Sequence, residues 1–198
     1  SMFRLLVTDQ CRTNLAVGKQ LKIFYKNFLH VTCLAHAVLF LCETIRDKFG
    51  KVDKSVANMK RARSHSKVRK NLYRRLTGNE PLPPTPVVTR WGTFLNAALH
   101  HLKNIEGVKV FISRLKNKAT YANKLKKLIR NEELMEQFNS MSVFSVLPDY
   151  IVALESNTIS MEEQLNIVTS IRSILKDDFL ERFDQILANS PDDDKLSE

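Results

Sequence analysis

The chain has 198 residues, of which 43% are hydrophobic and 26% are charged, and its net charge at neutral pH is +10. This composition predicts a folded globular protein. The apolar stretch of residues 31–41 is interrupted by His36 and falls short of the roughly 18 residues that cross a bilayer, so we expect no membrane protein. Three cysteines, at spacings that match neither a disulfide framework nor a four-ligand zinc site, indicate a reducing compartment.

Charge is segregated along the sequence. Residues 44–78 contain twelve Lys/Arg and two Asp, and residues 100–130 contain nine Lys/Arg and one Glu. Residues 131–198 contain four Lys/Arg and fifteen Asp/Glu. The basic segments have the charge needed to bind a phosphate backbone, whereas the acidic segment does not. Solvated helix faces of opposite charge are the alternative explanation.

The first fifty residues have the pattern of a strand, a helix, a second strand and a second helix. A short apolar run ends at Asp9, and a β-branched run over residues 29–33 passes into a stretch with helical spacing of its apolar positions, 34, 38, 41, 42, 45 and 49. Ligand sites in open α/β sheets lie beyond the carboxyl ends of the strands. Residues at these two strand ends are therefore candidates for a site.

Helices are predicted for most of the remaining chain. The basic residues 51–76 are expected to form one helix or a pair that ends at Gly78, and four prolines over residues 81–86 predict an extended linker. Thr89 is a good N-cap for a helix over residues 90–104. The further expected segments are helices over residues 108–130, 132–155 with Pro148 bending or dividing it, 160–175 and 178–188, and a disordered acidic tail over 190–198.

Three short motifs follow one another in the chain: Leu5-Leu6-Val7-Thr8-Asp9, Cys33-Leu34-Ala35-His36 and Thr89-Arg90-Trp91. Their order resembles the middle of an hAT-type transposase, over roughly residues 3–105. The resemblance implies a fragment of an RNase H-like α/β fold followed by an all-helical insertion, so that the chain is mainly α with a small α/β part. The expected segments are a partial RNase H-like unit over residues 3–50, the basic helices, linker and Arg-Trp helix over 51–110, a helical region over 111–189 and the tail over 190–198.

Asp9 is the candidate metal-binding carboxylate. The resemblance implies three carboxylates that hold two divalent metals, Mg²⁺ or Mn²⁺, for an in-line phosphoryl displacement. From spacing alone, an Asp that caps the next helix is the favoured alternative. The first carboxylate is expected before residue 3, and Glu155, Glu162 and Glu163 follow the insertion in no recognisable context. One of three carboxylates is thus identified, and we expect this chain alone neither to catalyse nor to bind a metal tightly.

Two further motif positions each have two interpretations. Cys33 and His36 share one face of the first turn of a helix. The resemblance implies that this pair supports the metal site and its DNA substrate. The alternative is a hydrogen-bonded core histidine beside a buried thiol. For Trp91 the family implies stacking on an exposed base, whereas its register with the apolar face of its helix indicates packing. Arg90 lies outside that face and is the candidate phosphate ligand.

Basic side chains supply the other candidate DNA contacts, which are Arg61, Arg63, Arg69, Lys70, Arg74 and Arg75. Together with the resemblance, they predict a DNA-binding segment of an hAT-type transposase or of a nuclear protein derived from one. The expected partners are DNA and, through regions outside this chain, a second copy; neither a membrane nor a small-molecule substrate is expected. A helical protein-interaction module of an inactive transposase relic is the main alternative, and an RNA-binding domain is a third.

Overall fold

A computed structural model describes residues 5–25, 27–64, 66–87, 92–116, 120–156 and 158–192. These residues form a mainly helical protein with a small two-stranded parallel sheet. The chain divides into two compact units: residues 1–41 with 149–198, which we call the split unit, and residues 42–148, which we call the central unit. This division differs from the expected boundaries at residues 50 and 110. In the described part of the chain, no helix is both long and apolar enough to cross a membrane.

The chain begins with the predicted strand–helix–strand–helix order. The elements are β1 (Leu5–Thr8), α1 (Arg12–Phe24), β2 (Leu29–Thr32) and α2 (Leu34–Lys48). β1 and β2 pair in parallel with Leu5 opposite Leu29 and Thr8 opposite Thr32, so α1 is the crossover helix that a parallel pair requires. The predicted apolar face of α2 is buried at Val38, Leu41, Cys42 and Ile45.

The central unit is built from short helices. They are α3 (Gly50–Arg63), α4 (Lys67–Leu76), α5 (Gly92–Lys103), α6 (Ile105–Ser113), α7 (Thr120–Leu128), α8 (Glu132–Met141) and a 3₁₀ helix (Ser142–Val146). The basic residues 51–76 form a pair of helices because Ser66 is extended and caps α4, its Oγ accepting from the Arg69 amide at 3.3 Å. The single helix expected over residues 108–130 is likewise divided, since α6 ends at Ser113.

The remaining helices are α9 (Leu147–Glu155), α10 (Met161–Ile174) and α11 (Asp177–Ala188). Pro148 is the second residue of α9, where its missing N–H costs no helical hydrogen bond. The helix expected over residues 132–155 is divided ahead of it, by the 3₁₀ helix between α8 and α9. The predicted capping box of α10 is confirmed, because the Ser160 amide donates to Glu163 and the Glu163 amide donates to the Ser160 hydroxyl.

A core of aromatic and aliphatic side chains lies beneath α4. It consists of Met59, Ala62, Tyr73, Val108, Phe111, Ile112, Leu115, Ala122 and Leu125, from α3, α4, α6, α7 and the turn after α6. Gly107 lets α6 approach the end of α4 closely, because a Cβ at this position would overlap the Leu76 carbonyl oxygen. The end of α4 is held in place by this contact.

We predict that Gly107→Ala destabilises the protein by about 1–3 kcal/mol, because the added methyl group forces α6 away from α4. Gly50→Ala is the matched control, since a Cβ there meets no atom within 4 Å, and it should stabilise by about 0.4–1 kcal/mol through the unfolded state. Urea denaturation of both variants measures the difference. Equal stabilities of the two variants would contradict the close approach.

Candidate functional site

The two strands bring the first two sequence motifs together. The Cys33 amide donates to the Thr8 carbonyl oxygen at 2.7 Å, one step beyond the last paired residues of β1 and β2. Asp9 and Cys33 therefore follow directly after the carboxyl ends of two neighbouring parallel strands. This confirms the expected placement of both motifs beside adjacent strand tips.

Asp9 closes the turn that leads into α1. Its Oδ1 accepts from the side-chain amide of Asn14 at 2.7 Å and from the Cys11 backbone amide at 3.0 Å. These two hydrogen bonds, with a smaller contribution from His36, lower the pKa of the Asp9 carboxyl. Asp9 is therefore ionised at neutral pH and closes an Asx-type turn before α1. The N-cap of α1 is Cys11 and no side chain caps this helix, so Asp9 does not have the helix-capping role that spacing alone favours.

His36 lies on the first turn of α2, where its side chain is exposed, and Cys33 is half-buried. His36 is therefore not a core histidine, whereas the Cys33 thiol is partly buried. His36 is near enough to Asp9 for its charge to lower the carboxyl pKa. Asp9 and His36 are consequently neighbours at the carboxyl ends of the two strands.

The described residues do not fit a bound divalent metal. A two-metal site needs several carboxylates around the ions, yet no group of three His, Cys, Asp or Glu side chains within the described ranges is placed to hold one. One oxygen of Asp9 already accepts two hydrogen bonds, and Glu163 is engaged in the capping box of α10. Asp9 is a single carboxylate at a strand tip in this part of the chain.

A buried polar cluster at β2 has no counterpart among the sequence motifs. His30 is fully buried, its Nε2 lies 2.8 Å from the Thr8 hydroxyl, and its backbone amide donates to Asp192 Oδ2 at 2.9 Å. Asp192 also pairs with Lys22 at 2.5 Å and is only 5% exposed. Burial and the charge of Lys22 lower the pKa of His30, whereas Asp192 raises it. Asp192 was expected in a disordered tail. Its partner His30 is 162 residues away in the chain, so no local sequence pattern predicts the contact.

α4 presents a basic face. Its exposed side chains from residue 67 onwards include Lys67, Lys70, Arg74 and Arg75, whereas Tyr73 of the same helix is fully buried. Among the described residues, no carboxylate forms an ion pair with these four cations. Arg74 and Arg75 also line a groove of about 550 Å³ together with Val68, Asn71 and Asn79. We call the four cations the α4 basic face.

Two of the predicted DNA contacts are engaged inside the protein. Arg63 is 6% exposed, its guanidinium lies 5.0 Å from the centre of the Tyr73 ring, and its Nε donates to the Met59 carbonyl oxygen. Burial lowers its pKa. Arg69 is half-buried and donates to the Tyr121 hydroxyl at 2.7 Å. Arg63 is therefore not a surface cation, and Arg69 is only partly accessible to a ligand. Arg61 is exposed.

The third sequence motif lies outside the described residues. Thr89, Arg90 and Trp91 precede α5, which is described from Gly92 onwards. The helix itself is confirmed, and its apolar residues Phe94, Leu95 and Ala98 are buried as expected. The roles of Arg90 and Trp91 stay predictions.

A buried histidine lies beside the tyrosine that anchors α4. The Tyr73 ring packs edge-on against Phe111, with 5.3 Å between the ring centres. The centre of the His101 ring lies 6.4 Å from that of Tyr73, and His101 is 1% exposed. Neither ring nitrogen of His101 has a hydrogen-bond partner in the described structure. Burial, together with the charges of Arg63 and His100, holds the pKa of His101 well below its usual value.

We predict that the free energy of unfolding decreases as the pH falls below about 6.5, the ordinary pKa of histidine. Below that pH the unfolded chain binds a proton that buried His101 does not, which removes about 1.4 kcal/mol per pH unit. His101→Leu should flatten this dependence with little loss at pH 7.5, because an apolar group replaces unpaired nitrogens. Urea titrations between pH 5 and 7.5 measure it, with His36→Gln at an exposed position as the control; an unchanged slope in His101→Leu would contradict the assignment.

Comparison with known proteins yields no match: no family model, no curated protein and no solved structure is similar to this chain.

Proposed function

We propose that this chain is the DNA-binding segment of an hAT-type transposase or of a nuclear protein derived from one, and that it binds the phosphate backbone through the α4 basic face. The observation that carries the proposal is the row of four exposed cations on one helix with no carboxylate paired to them among the described residues. Such a row attracts a polyanion of any sequence, because its neutralisation releases condensed counterions from the DNA.

The charge of the central unit supports this assignment. Residues 42–148 contain 22 Lys/Arg and eight Asp/Glu, a net charge of +14, whereas the split unit contains nine Lys/Arg and 13 Asp/Glu, a net charge of −4. Basic charge is therefore concentrated in the unit that carries α4. A polyanion is attracted to the central unit and repelled by the split unit.

The geometry of α4 suits a rigid phosphate contact. Lys67 and Arg75 are eight residues apart, which corresponds to about 12 Å along a helix axis, and Lys70 and Arg74 lie between them. Tyr73 is buried on the other side and the end of the helix contacts α6 at Gly107. The cations thus need little further ordering of the backbone on binding, and this reduces the entropic cost of association.

The relationship to hAT-type transposases is supported by a smaller set of features. Asp9 follows the first strand of a parallel pair, Cys33 and His36 begin the helix after the second strand, and a mainly helical region follows. In this proposal the small sheet is part of an RNase H-like unit. In an active parent protein, Asp9 would be one of several carboxylates that hold Mg²⁺ or Mn²⁺ for DNA strand cleavage and transfer, and the others would come from outside the described residues. A second copy would bind through regions outside this chain.

We predict that the purified chain binds duplex DNA with little sequence preference and that neutralising the α4 basic face abolishes most of this binding. Replacing Lys67, Lys70, Arg74 and Arg75 by Gln should reduce the slope of log K against log salt by up to about 3.6, since each phosphate contact contributes about 0.9. Fluorescence anisotropy of a labelled duplex over a series of salt concentrations measures the slope.

The control for this experiment removes the same charge elsewhere in the central unit. Lys54, Lys124, Lys127 and Arg130 are exposed cations of α3, α7 and the turn after α7, and their replacement by Gln should leave most of the binding intact. An equal loss in both quadruple variants would show that total charge and not the α4 basic face determines affinity. No binding at low salt would exclude the proposal.

We also predict that the purified chain does not nick supercoiled plasmid in Mg²⁺ or Mn²⁺, because Asp9 is the single carboxylate at the strand tips of the described sheet and two-metal cleavage requires several. Gel electrophoresis of the plasmid is the measurement, with Asp9→Ala as the control. Nicking that is lost in Asp9→Ala would mean that further carboxylates complete a site with Asp9.

A different observation favours the alternative, a helical protein-interaction module. Ile23 and Phe24 at the end of α1 are 75% and 78% exposed, and neighbouring exposed apolar side chains are a feature of protein contact surfaces. The salt series separates the two functions, since an interaction module without DNA affinity gives no binding even at low salt.

A further inference from the structure

The outer edge of β2 is covered by the segment that follows α11. Successive amides of a strand point to opposite sides, and the amides of His30 and Thr32 point away from β1. The His30 amide donates to Asp192 Oδ2 at 2.9 Å, and the Thr32 amide donates to the Ser190 hydroxyl at 3.1 Å. Ser190 and Asp192 are two residues apart, as the two amides are, so side-chain oxygens take the positions that carbonyl groups of another strand would occupy.

The two contacts differ in strength and in access. Asp192 is 5% exposed and pairs with Lys22 at 2.5 Å, so it is the anchor of the segment. Ser190 is half-buried and accepts one hydrogen bond from a neutral amide. Pro191 lies between them and has no amide hydrogen to donate, so the Ser190 and Asp192 side chains make the contacts with β2. Ser190 is therefore the more weakly held and more accessible of the two.

We propose that Ser190 is a phosphorylation site whose modification releases this segment from β2. The sequence Ser190-Pro191-Asp192-Asp193-Asp194 has the proline directly after serine that proline-directed protein kinases recognise. In the reaction, the Ser190 hydroxyl oxygen attacks the γ-phosphorus of ATP bound to the kinase, the bond from that phosphorus to the β-phosphate oxygen breaks, the hydroxyl proton passes to a base of the kinase, and ADP leaves.

The phosphate would be incompatible with the contacts at the edge. It adds a charge of about −1.5 to −2 two residues from the Asp192 carboxylate, where Lys22 is already paired. It also enlarges a group that lies against Thr32, which is only 8% exposed. Like-charge repulsion and lack of room act together, so the modified segment leaves β2 and exposes two amide donors of the edge. Exposed strand edges are sites at which extended segments add to a sheet.

Amide hydrogen exchange of the full chain tests the release. With phosphoserine incorporated at position 190, exchange at both His30 and Thr32 should accelerate by about ten-fold or more, because a hydrogen bond to a charged acceptor is lost along with a neutral one. Ser190→Ala removes one neutral acceptor without adding charge, and it should accelerate Thr32 alone. Phosphoserine at exposed Ser173 of α10 is the charge-matched control and should change neither amide. Unchanged or slower exchange at both amides in the position-190 protein would overturn the proposal.

Modification itself is tested with a proline-directed serine kinase and ATP on the folded full chain, followed by mass spectrometry. Phosphate is expected at Ser190 and should be absent from Ser190→Ala. Failure to modify Ser190, under conditions in which the kinase modifies a standard substrate peptide, would equally overturn the assignment.

Discussion

The burial of Tyr73 determines which way the cations of α4 point. Five of the ten residues of this helix are Lys or Arg, and a helix so polar is held in place by the few side chains that it buries. With Tyr73 directed into the core, the period of 3.6 residues turns Lys67, Arg74 and Arg75 about 100° or more away from it. These three side chains are exposed, as is Lys70 at the border of the buried side. Arg69 lies on the inner side for the same reason, and this explains why it bonds to Tyr121.

This arrangement leaves several polar groups in the core of the central unit. The Tyr73 hydroxyl and both ring nitrogens of His101 have no hydrogen-bond partner among the described residues, and each such group costs about 1–3 kcal/mol. Burial raises the pKa of the Tyr73 hydroxyl and lowers that of His101, so both remain neutral at physiological pH. The Arg63 guanidinium over the Tyr73 ring offsets part of its own desolvation through the cation–π contact. The orientation of the α4 cations thus depends on an apolar core that also contains unpaired polar groups.

Local patterns predicted local structure well. The capping box of α10, the end of α4 at Gly78 with its φ of 70° and the apolar face of α2 each depend on residues a few positions apart, and all three are present. The orientation of Arg63 and the contacts of Asp192 depend on residues far along the chain, so the sequence contains no signal for them. A cation in a basic run has the same sequence signature whether its side chain meets solvent or an aromatic ring. The candidate site was accordingly predicted at the level of strand tips and basic segments, but not residue by residue.

The split unit has a consequence for the order in which the protein folds. Its β2 strand is complete at residue 32, yet the carboxylate that caps the edge of β2 arrives 162 residues after His30. During synthesis the central unit is complete well before the ribosome reaches Asp192, and domains generally fold as they emerge. Folding of the central unit orders the chain that separates the two segments of the split unit. The entropic cost of bringing these segments together is then lower. The split unit is thus the last part of the chain to become stable.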